Sequence, residues 1–300
     1  MKHSGGILDK ADSLHSKEVV MVVGSTGIPG LTVHGIRGAT RIAARTGGHG
    51  PAVLLLHGVG TASASFWAQF DALSATFQLI AWDAFGYGRS SDPPIPVRLD
   101  DYADAAADLL DAHGRYDAHV VGVSWGGVVA TRLALRHPER VRTLALVAST
   151  YGRGNDEASH EQFVERIASL RRDGVRMWAQ ARVDRQVSPE APPELRLRIV
   201  DTAVASVRIA GFAAAMHTMA DTDHRARLGA VRAPTIVLCG DRDPITGPVE
   251  SRVLAEGISG ADLVLVPGGG HLLNQDKPAA VNVALQRHWH EFDGHEGGRA

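Results

Sequence analysis

Cysteine is almost absent from this sequence. The single cysteine, Cys239, directly follows the apolar run 235–238. One thiol cannot form an internal disulfide, and a lone cysteine in such a run is typical of a small core residue. The chain has 300 residues, of which 44% are hydrophobic, so it is long enough to bury a large core without disulfides or metal staples.

An excess of either charge and a long apolar run are also missing. The chain has 31 Lys and Arg against 33 Asp and Glu, and without a basic stripe a nucleic-acid partner is not expected. No stretch approaches the ~20 apolar residues that span a membrane. Residues 1–17 are polar and charged and lack the apolar centre of a secretory signal. We therefore expect a cytoplasmic protein, and a homo-oligomer is compatible with the sequence.

Short apolar runs bounded by glycine and proline predict the strands. Continuous runs of this kind are typical of strands buried on both faces of a parallel sheet. Helical stretches at 100–113 and 128–137 lie between them, and this alternation predicts an α/β fold with a mostly parallel, doubly wound sheet. Three earlier runs, at 19–23, 31–34 and 40–44, suggest antiparallel edge strands. The continuous runs lie at 53–56, 77–82, 119–123, 143–148, 235–239 and 262–266.

One long interval contains no strand-like run. Residues 151–228 instead hold four helical stretches, at 158–172, 175–186, 193–207 and 208–220. A helical insert after a parallel strand predicts a cap, or lid, over the carboxyl edge of the sheet, where such folds bind ligands. The expected division is a tail at 1–18, a core at 19–150 and 229–293, this cap, and a tail at 294–300.

The clearest candidate nucleophile is Ser124. It lies in Gly122-Val123-Ser124-Trp125-Gly126-Gly127, after an apolar strand and before a helical stretch, which is the G-x-S-x-G pattern in its strand–turn–helix setting. The turn is so sharp that side chains at 122 and 126 would clash. The start of the following helix also brings backbone N–H groups close to a developing oxyanion.

A serine hydroxyl needs a base, and this turn is usually followed along the chain by an acid and then a histidine. Asp241 and Asp243 compete for the acid, since both follow the predicted strand 235–239. His271 is the preferred base because residues 267–270 deliver it at the end of the next strand. His57 is expected to make structural hydrogen bonds. His288, His290 and His295 are expected at the surface.

These motifs closely resemble those of the α/β-hydrolase superfamily, over about residues 31–292. Residues 57–60 resemble its oxyanion loop, and 83–90 match its D-x-x-G-x-G-x-S turn. Residues 240–243 match G-x-x-D, and the comparison favours Asp243 over Asp241 as the acid. Residues 268–271 match the G-x-G-H that presents the histidine. The resemblance implies a Ser124–His271–Asp243 triad and an oxyanion hole formed by the backbone N–H groups of Val59 and Trp125.

The predicted cap narrows this comparison. Residues 174–178, 211–216 and 220–223 resemble the cap of 3-oxoadipate enol-lactonases, whose group hydrolyses small esters and lactones. The elbow is also similar to that of intracellular polyhydroxyalkanoate depolymerases. Where the enol-lactonases carry Arg-Trp-Phe, this chain has Arg185-Gln186-Val187, so that particular substrate is not assigned. The expected pocket walls are the cap residues Trp178, Met177, Phe212, Met216 and His217, although such residues at helical spacing are more often plain core.

The sequence thus predicts a serine hydrolase that cleaves a small carboxylic ester or lactone, with no metal and no cofactor. Arg182 and Arg185 could each bind a substrate carboxylate or form solvent-facing salt bridges. A C–C bond hydrolase or a cofactor-free haloperoxidase could use the same triad. A non-catalytic ligand-binding protein is a further alternative. Residues 24–30 superficially resemble a phosphate loop, but the strand-like run that follows argues against dinucleotide binding.

Overall fold

Strand residues alternate between two hydrophobic cores in the computed structural model of the chain, which describes residues 30–36, 40–154 and 157–293. Leu54 and Leu56 face one core, whereas Val53 and Leu55 face the other. This period of two is the period of the β-pleat. It explains why the central strands read as continuous apolar runs, because both of their faces are covered.

The described residues form one sheet in the order β1-β2-β4-β3-β5-β6-β7-β8. β1, β2 and β4 pair antiparallel, and all the remaining pairs are parallel. The predicted parallel sheet with an antiparallel edge is confirmed. The predicted strand at 19–23 and most of the glycine-rich stretch 24–30 lie outside the described residues. The strands are β1 (Leu31–Gly35), β2 (Arg41–Gly47), β3 (Ala52–Leu56), β4 (Gln78–Asp83), β5 (Ala118–Val123), β6 (Val141–Val147), β7 (Thr235–Gly240) and β8 (Asp262–Val266).

Helices cover both faces of the sheet. Side chains of α1 and α9 belong to one core, and side chains of α2, α3 and α7 belong to the other. No helix in the described ranges is long and apolar enough to cross a membrane. The helices are α1 (Trp67–Leu73), α2 (Leu99–Ala112), α3 (Trp125–Arg136), α4 (Glu157–Val183), α5 (Pro193–Ser206), α6 (Ile209–Ala220), α7 (Gly247–Gly257), α8 (Leu273–Asp276) and α9 (Pro278–Asp293).

The chain between β6 and β7 is helical, as predicted. It contributes α4, α5, α6 and a short 3₁₀ helix, Arg225–Ala230. The backbone of α4 is non-helical at Gly174, which has φ 72° and ψ 161°. The two helical stretches predicted on either side of this residue are therefore parts of one bent element. The segment is held to the core by hydrogen bonds such as that from the Trp125 indole N–H to the Thr218 hydroxyl, at 3.3 Å.

Cys239 and His288 both lie in the interior of the protein. Cys239 is fully buried in β7, as expected of a core residue, and burial raises the pKa of its thiol to about 11. The surface position expected for His288 is wrong. Its side chain is 4% exposed and lies against the carbonyl of Pro234, because it is on the face of α9 that packs on the sheet. His290 is exposed, and His295 lies outside the described residues.

Candidate active site

The turn between β5 and α3 presents Ser124 in a strained conformation. Ser124 has φ 53° and ψ −119°, in the half of the backbone map that residues with a side chain rarely occupy. The turn needs its two glycines because the backbone passes too close for side chains. A Cβ at Gly122 would lie 2.4 Å from the carbonyl oxygen of Gly126, and one at Gly126 would lie 2.1 Å from that of Leu56.

Ser124, His271 and Asp243 form a continuous hydrogen-bonded chain. The Ser124 Oγ lies 3.0 Å from His271 Nε2, and His271 Nδ1 lies 2.9 Å from Asp243 Oδ2. An ionised carboxylate can only accept hydrogen bonds, so Nδ1 donates to Asp243 and Nε2 is left to accept from the serine hydroxyl. The structure thus brings together the three residues that the sequence predicts for the triad.

Asp243 is held as a carboxylate by several donors. It accepts hydrogen bonds from the backbone N–H groups of Ile245 and Thr246 and from the Thr246 hydroxyl, at 2.8, 3.3 and 2.8 Å. Burial alone would raise the pKa of this carboxyl group. The hydrogen bond and charge of His271, together with these donors, outweigh burial and lower the pKa to about 2. Asp243 is therefore ionised at neutral pH.

Asp241 has a different partner. Its side chain is exposed and accepts a hydrogen bond from the Gly268 N–H at 2.7 Å, which stabilises the turn after β8. Of the two candidate acids, only Asp243 contacts His271 in the described part of the chain. This geometry agrees with the preference that the motif comparison gave.

The loop at 57–60 runs beside the serine. A Cβ at Gly58 would lie 3.3 Å from the Ser124 Cβ, and Val59 lines the cavity in front of it. His57 makes structural hydrogen bonds, as predicted, since its Nε2 accepts from the Ala84 N–H at 3.0 Å. The buried Tyr87 hydroxyl donates to the Val59 carbonyl at 2.7 Å. These contacts hold the loop while the first turn of α3 presents the Trp125 N–H.

A cavity lies between this edge of the sheet and the helical segment. It encloses about 620 Å³ of empty space, a volume that includes its open mouth. Ser124 and His271 are at its base. The other residues that line it include Trp178, Arg182, Gln186, Phe212 and Met216 from the helical segment.

Of the five pocket residues predicted in the cap, Trp178, Phe212 and Met216 line the cavity, and His217 and Met177 do not. His217 is exposed, because it lies on the face of α6 opposite Phe212 and Met216. The same correction applies to Met177, whose side chain is 64% exposed on α4. Arg182 lines the cavity, whereas Arg185 is exposed and does not.

The sequence reasoning missed other parts of this site. Arg153 and Arg166 line the cavity, and Thr246 supports Asp243. Asp276 accepts hydrogen bonds from the Gly270 N–H at 2.7 Å and from the Ser188 N–H at 3.0 Å, so it ties the loop before His271 to the helical segment. No sequence motif marks these residues, because each contact joins positions that are far apart in the sequence or whose spacing matches no known pattern.

Comparison with known proteins agrees with this fold. A family model described as the alpha/beta hydrolase fold matches residues 51–278. A protein of Azorhizobium caulinodans, provisionally named carbamate hydrolase RutD, is 31% identical over 82% of this chain and 94% of its own length. A pimeloyl-acyl-carrier-protein methyl ester esterase of Chromobacterium violaceum is 33% identical over 75% of this chain and 88% of its own.

A solved structure adds a comparison of shape. The enol-lactonase from Burkholderia xenovorans LB400 matches with a TM-score of 0.79 and 25% identity, covering 86% of this chain and 99% of that one. The chain therefore belongs to the α/β-hydrolase family. It is a hydrolase of this class.

Proposed function

We propose that this protein is a serine hydrolase that cleaves a small carboxylic ester or lactone through an acyl-enzyme on Ser124. The observation that carries the proposal is the hydrogen-bonded chain from Asp243 through His271 to Ser124, which opens into the cavity beneath the helical segment. A solvent-facing serine at an ordinary turn would need neither this strained backbone nor these partners.

The reaction follows from the direction of these hydrogen bonds. The Ser124 Oγ attacks the substrate carbonyl while His271 Nε2 takes the hydroxyl proton, and the ionised Asp243 stabilises the imidazolium that forms. When the tetrahedral intermediate collapses, the bond to the leaving oxygen breaks and His271 returns the proton to that oxygen. His271 then activates a water molecule, which releases the acid and regenerates Ser124.

The negative charge of the tetrahedral intermediate needs donors on the far side of the carbonyl. We assign this role to the backbone N–H groups of Val59 and Trp125, supported by the closeness of the 57–60 loop to Ser124 and by the position of Trp125 at the start of α3. Loss of one such donor typically slows an enzyme by ~10²–10³-fold. The helical segment between β6 and β7 acts as the lid that excludes water from the reacting carbonyl.

Substitution of the nucleophile tests the proposal. Ser124→Ala removes the attacking oxygen, so turnover of p-nitrophenyl acetate and of simple lactones should fall by roughly 10⁴- to 10⁶-fold. The matched control is Ser251→Ala, which removes another buried serine hydroxyl from α7, outside the site. The control should keep wild-type activity. Wild-type activity in Ser124→Ala, or cleavage of vinylogous diketones but of no ester or lactone, would refute the proposal.

A further inference from the structure

The charged residues that line the cavity are of one sign. Arg153, Arg166 and Arg182 all line it, and no Asp or Glu of the described residues does so. Asp243 lies behind His271 and is occupied by that contact. A substrate that enters the cavity therefore meets three guanidinium groups on the side formed by the helical segment and the loop after β6.

Two of these arginines, Arg166 and Arg182, come from opposite sides of the bend in α4. Arg166 and Arg182 lie sixteen residues apart on α4, which in a straight helix would separate them by about 24 Å along the axis. The non-helical backbone at Gly174 falls between them. The bend turns the two halves of the element so that both side chains line the same space.

The three arginines differ in how their charges are compensated. Arg153 forms an ion pair with Glu250. No ion pair of Arg166 or Arg182 occurs within the described ranges. Their guanidinium groups lie instead over aromatic rings, Arg166 at 5.4 Å from the centre of the Phe163 ring and Arg182 at 5.3 Å from that of Trp178. Among the described residues, the buried Nε of Arg182 also has no hydrogen-bond partner.

Some other arginines of the same helical segment have carboxylate partners. Arg176 contacts Asp201, and Arg196 contacts Asp184, at 3.2 and 2.9 Å. Those pairs are on the exterior, where an ion pair adds little. Carboxylate partners are thus found for some arginines on the exterior of this segment, whereas among the described residues the two arginines that face the cavity have none.

Burying the charges of Arg166 and Arg182 without a carboxylate partner costs free energy. Burial, followed by the charges of Arg182, Arg153 and Arg185, lowers the pKa of Arg166 to about 10. Burial and Arg185 lower the pKa of Arg182 in the same direction. Both groups still carry a charge at neutral pH, in a place where a charge without a counter-ion is unfavourable. A bound anion would relieve both the desolvation and the mutual repulsion.

We propose that Arg166 and Arg182 bind a carboxylate on the acyl part of the substrate. The substrate class is then a monoester of a dicarboxylic acid, or a lactone that carries a carboxylate, and this inference rests on the proposed function. Guanidinium groups bind carboxylates through two parallel hydrogen bonds, which also fix orientation. A Cβ at Gly60 would lie 3.1 Å from the Trp178 ring, so the wall that supports Arg182 adjoins the loop beside Ser124. An acyl chain of a few carbons would join the two groups.

A matched pair of substrates tests this selectivity. Monomethyl glutarate carries the carboxylate, and methyl pentanoate has a methyl group in its place on an acyl chain of the same length. The wild-type enzyme should give a kcat/KM at least about 10-fold higher for monomethyl glutarate at low salt. The ratio of the two kcat/KM values should fall about 10-fold or more in Arg166→Gln and in Arg182→Gln.

The chain supplies matched controls for these variants. Arg185→Gln removes an exposed arginine just beyond the end of α4 that does not line the cavity, so it should change the ratio far less than Arg166→Gln or Arg182→Gln does. Arg166→Lys and Arg182→Lys keep the charge and should keep most of the preference, even if a glutamine variant folds poorly. A wild-type ratio near one, or an equal loss of preference in Arg185→Gln, would overturn the proposal.

A binding measurement separates this inference from the esterase proposal. Calorimetric titration of Ser124→Ala with glutarate needs no turnover, and we expect binding that Arg182→Gln weakens at least about 10-fold and Arg185→Gln does not. Arginine-dependent glutarate binding in a protein that hydrolyses no ester would contradict the proposed function while supporting the anion site. Ester hydrolysis through Ser124 with no charge preference and no glutarate binding would contradict the anion site alone.

Discussion

Asp243 is the residue whose surroundings say most about the chemistry of the site. It accepts two backbone N–H groups and the Thr246 hydroxyl while binding His271. Motif spacing could predict Ser124, His271 and Asp243, because each follows a strand and is marked by glycines. The same spacing could not predict Thr246, since a threonine three residues after an aspartate carries no signal before the turn is folded.

A substitution at Asp243 tests its role at the residue scale. Asp243→Asn keeps the size of the side chain but can place an amide N–H group against His271 Nδ1. That group donates a hydrogen bond, so Nδ1 must accept it and the imidazole proton moves to Nε2, which can then no longer accept from Ser124. We expect kcat to fall about 10⁴-fold. Asp241→Asn is the control, because its side chain only supports the turn at Gly268.

The kcat of both variants is measured with an activated ester. Comparable losses in Asp241→Asn and Asp243→Asn would mean that the effect is structural. Circular dichroism and the midpoint of urea unfolding should show that both variants are folded before their rates are compared.

At the scale of elements, the predicted continuous runs agree with β3 to β8 to within two residues, because burial on both faces gives most of these strands a strong apolar signal. The predicted edge strand 40–44 ends three residues before β2 does. The helices between β6 and β7 were also predictable from their spacing. Which faces of α4 and α6 point to the cavity was not, and Met177 and His217 were misplaced for that reason. Arg153 and Arg166 were missed because the bend in α4 and the return of the chain after β6 bring distant segments together.

Gly174 is the residue on which the bend of α4 depends. Its backbone conformation, φ 72° and ψ 161°, belongs to a region that is essentially restricted to glycine. In Gly174→Ala a Cβ would meet no atom within 4 Å, so the cost is conformational, roughly 1–3 kcal/mol in the free energy of unfolding. Urea denaturation measures it. Gly229→Ala, at ordinary φ and with only a 3.8 Å contact, should change stability much less.

At the scale of the whole molecule, several histidines are buried beneath the sheet and its helices. His119 and His224 are 0% and 3% exposed. Burial lowers the pKa of each to about 4. The hydrogen bond and charge of Asp293 oppose this shift at His119, and the hydrogen bond to the Val128 carbonyl opposes it at His224. The composition showed that histidine is frequent, but only the topology shows which histidines the core encloses.

These buried histidines predict an acid-sensitive fold. Between about pH 6.5 and 4 the unfolded chain binds protons that the folded chain does not, so the free energy of unfolding falls as the pH falls through this range. At pH 5 the loss should be roughly 2 kcal/mol for each of the two histidines. Urea unfolding at pH 7.5 and 5.0 measures it. His224→Gln should flatten the pH dependence, and an equally steep dependence in this variant would count against this explanation.

The most direct test of the account is to trap the covalent intermediate. The protein is mixed with a p-nitrophenyl ester, quenched in acid within milliseconds, digested and analysed by mass spectrometry, with a p-nitrophenyl phosphonate as a stable analogue. The account predicts one acyl or phosphonyl group per chain, on the peptide that contains Ser124, and none in Ser124→Ala. Turnover without any adduct, or an adduct on a different residue that survives Ser124→Ala, would contradict it.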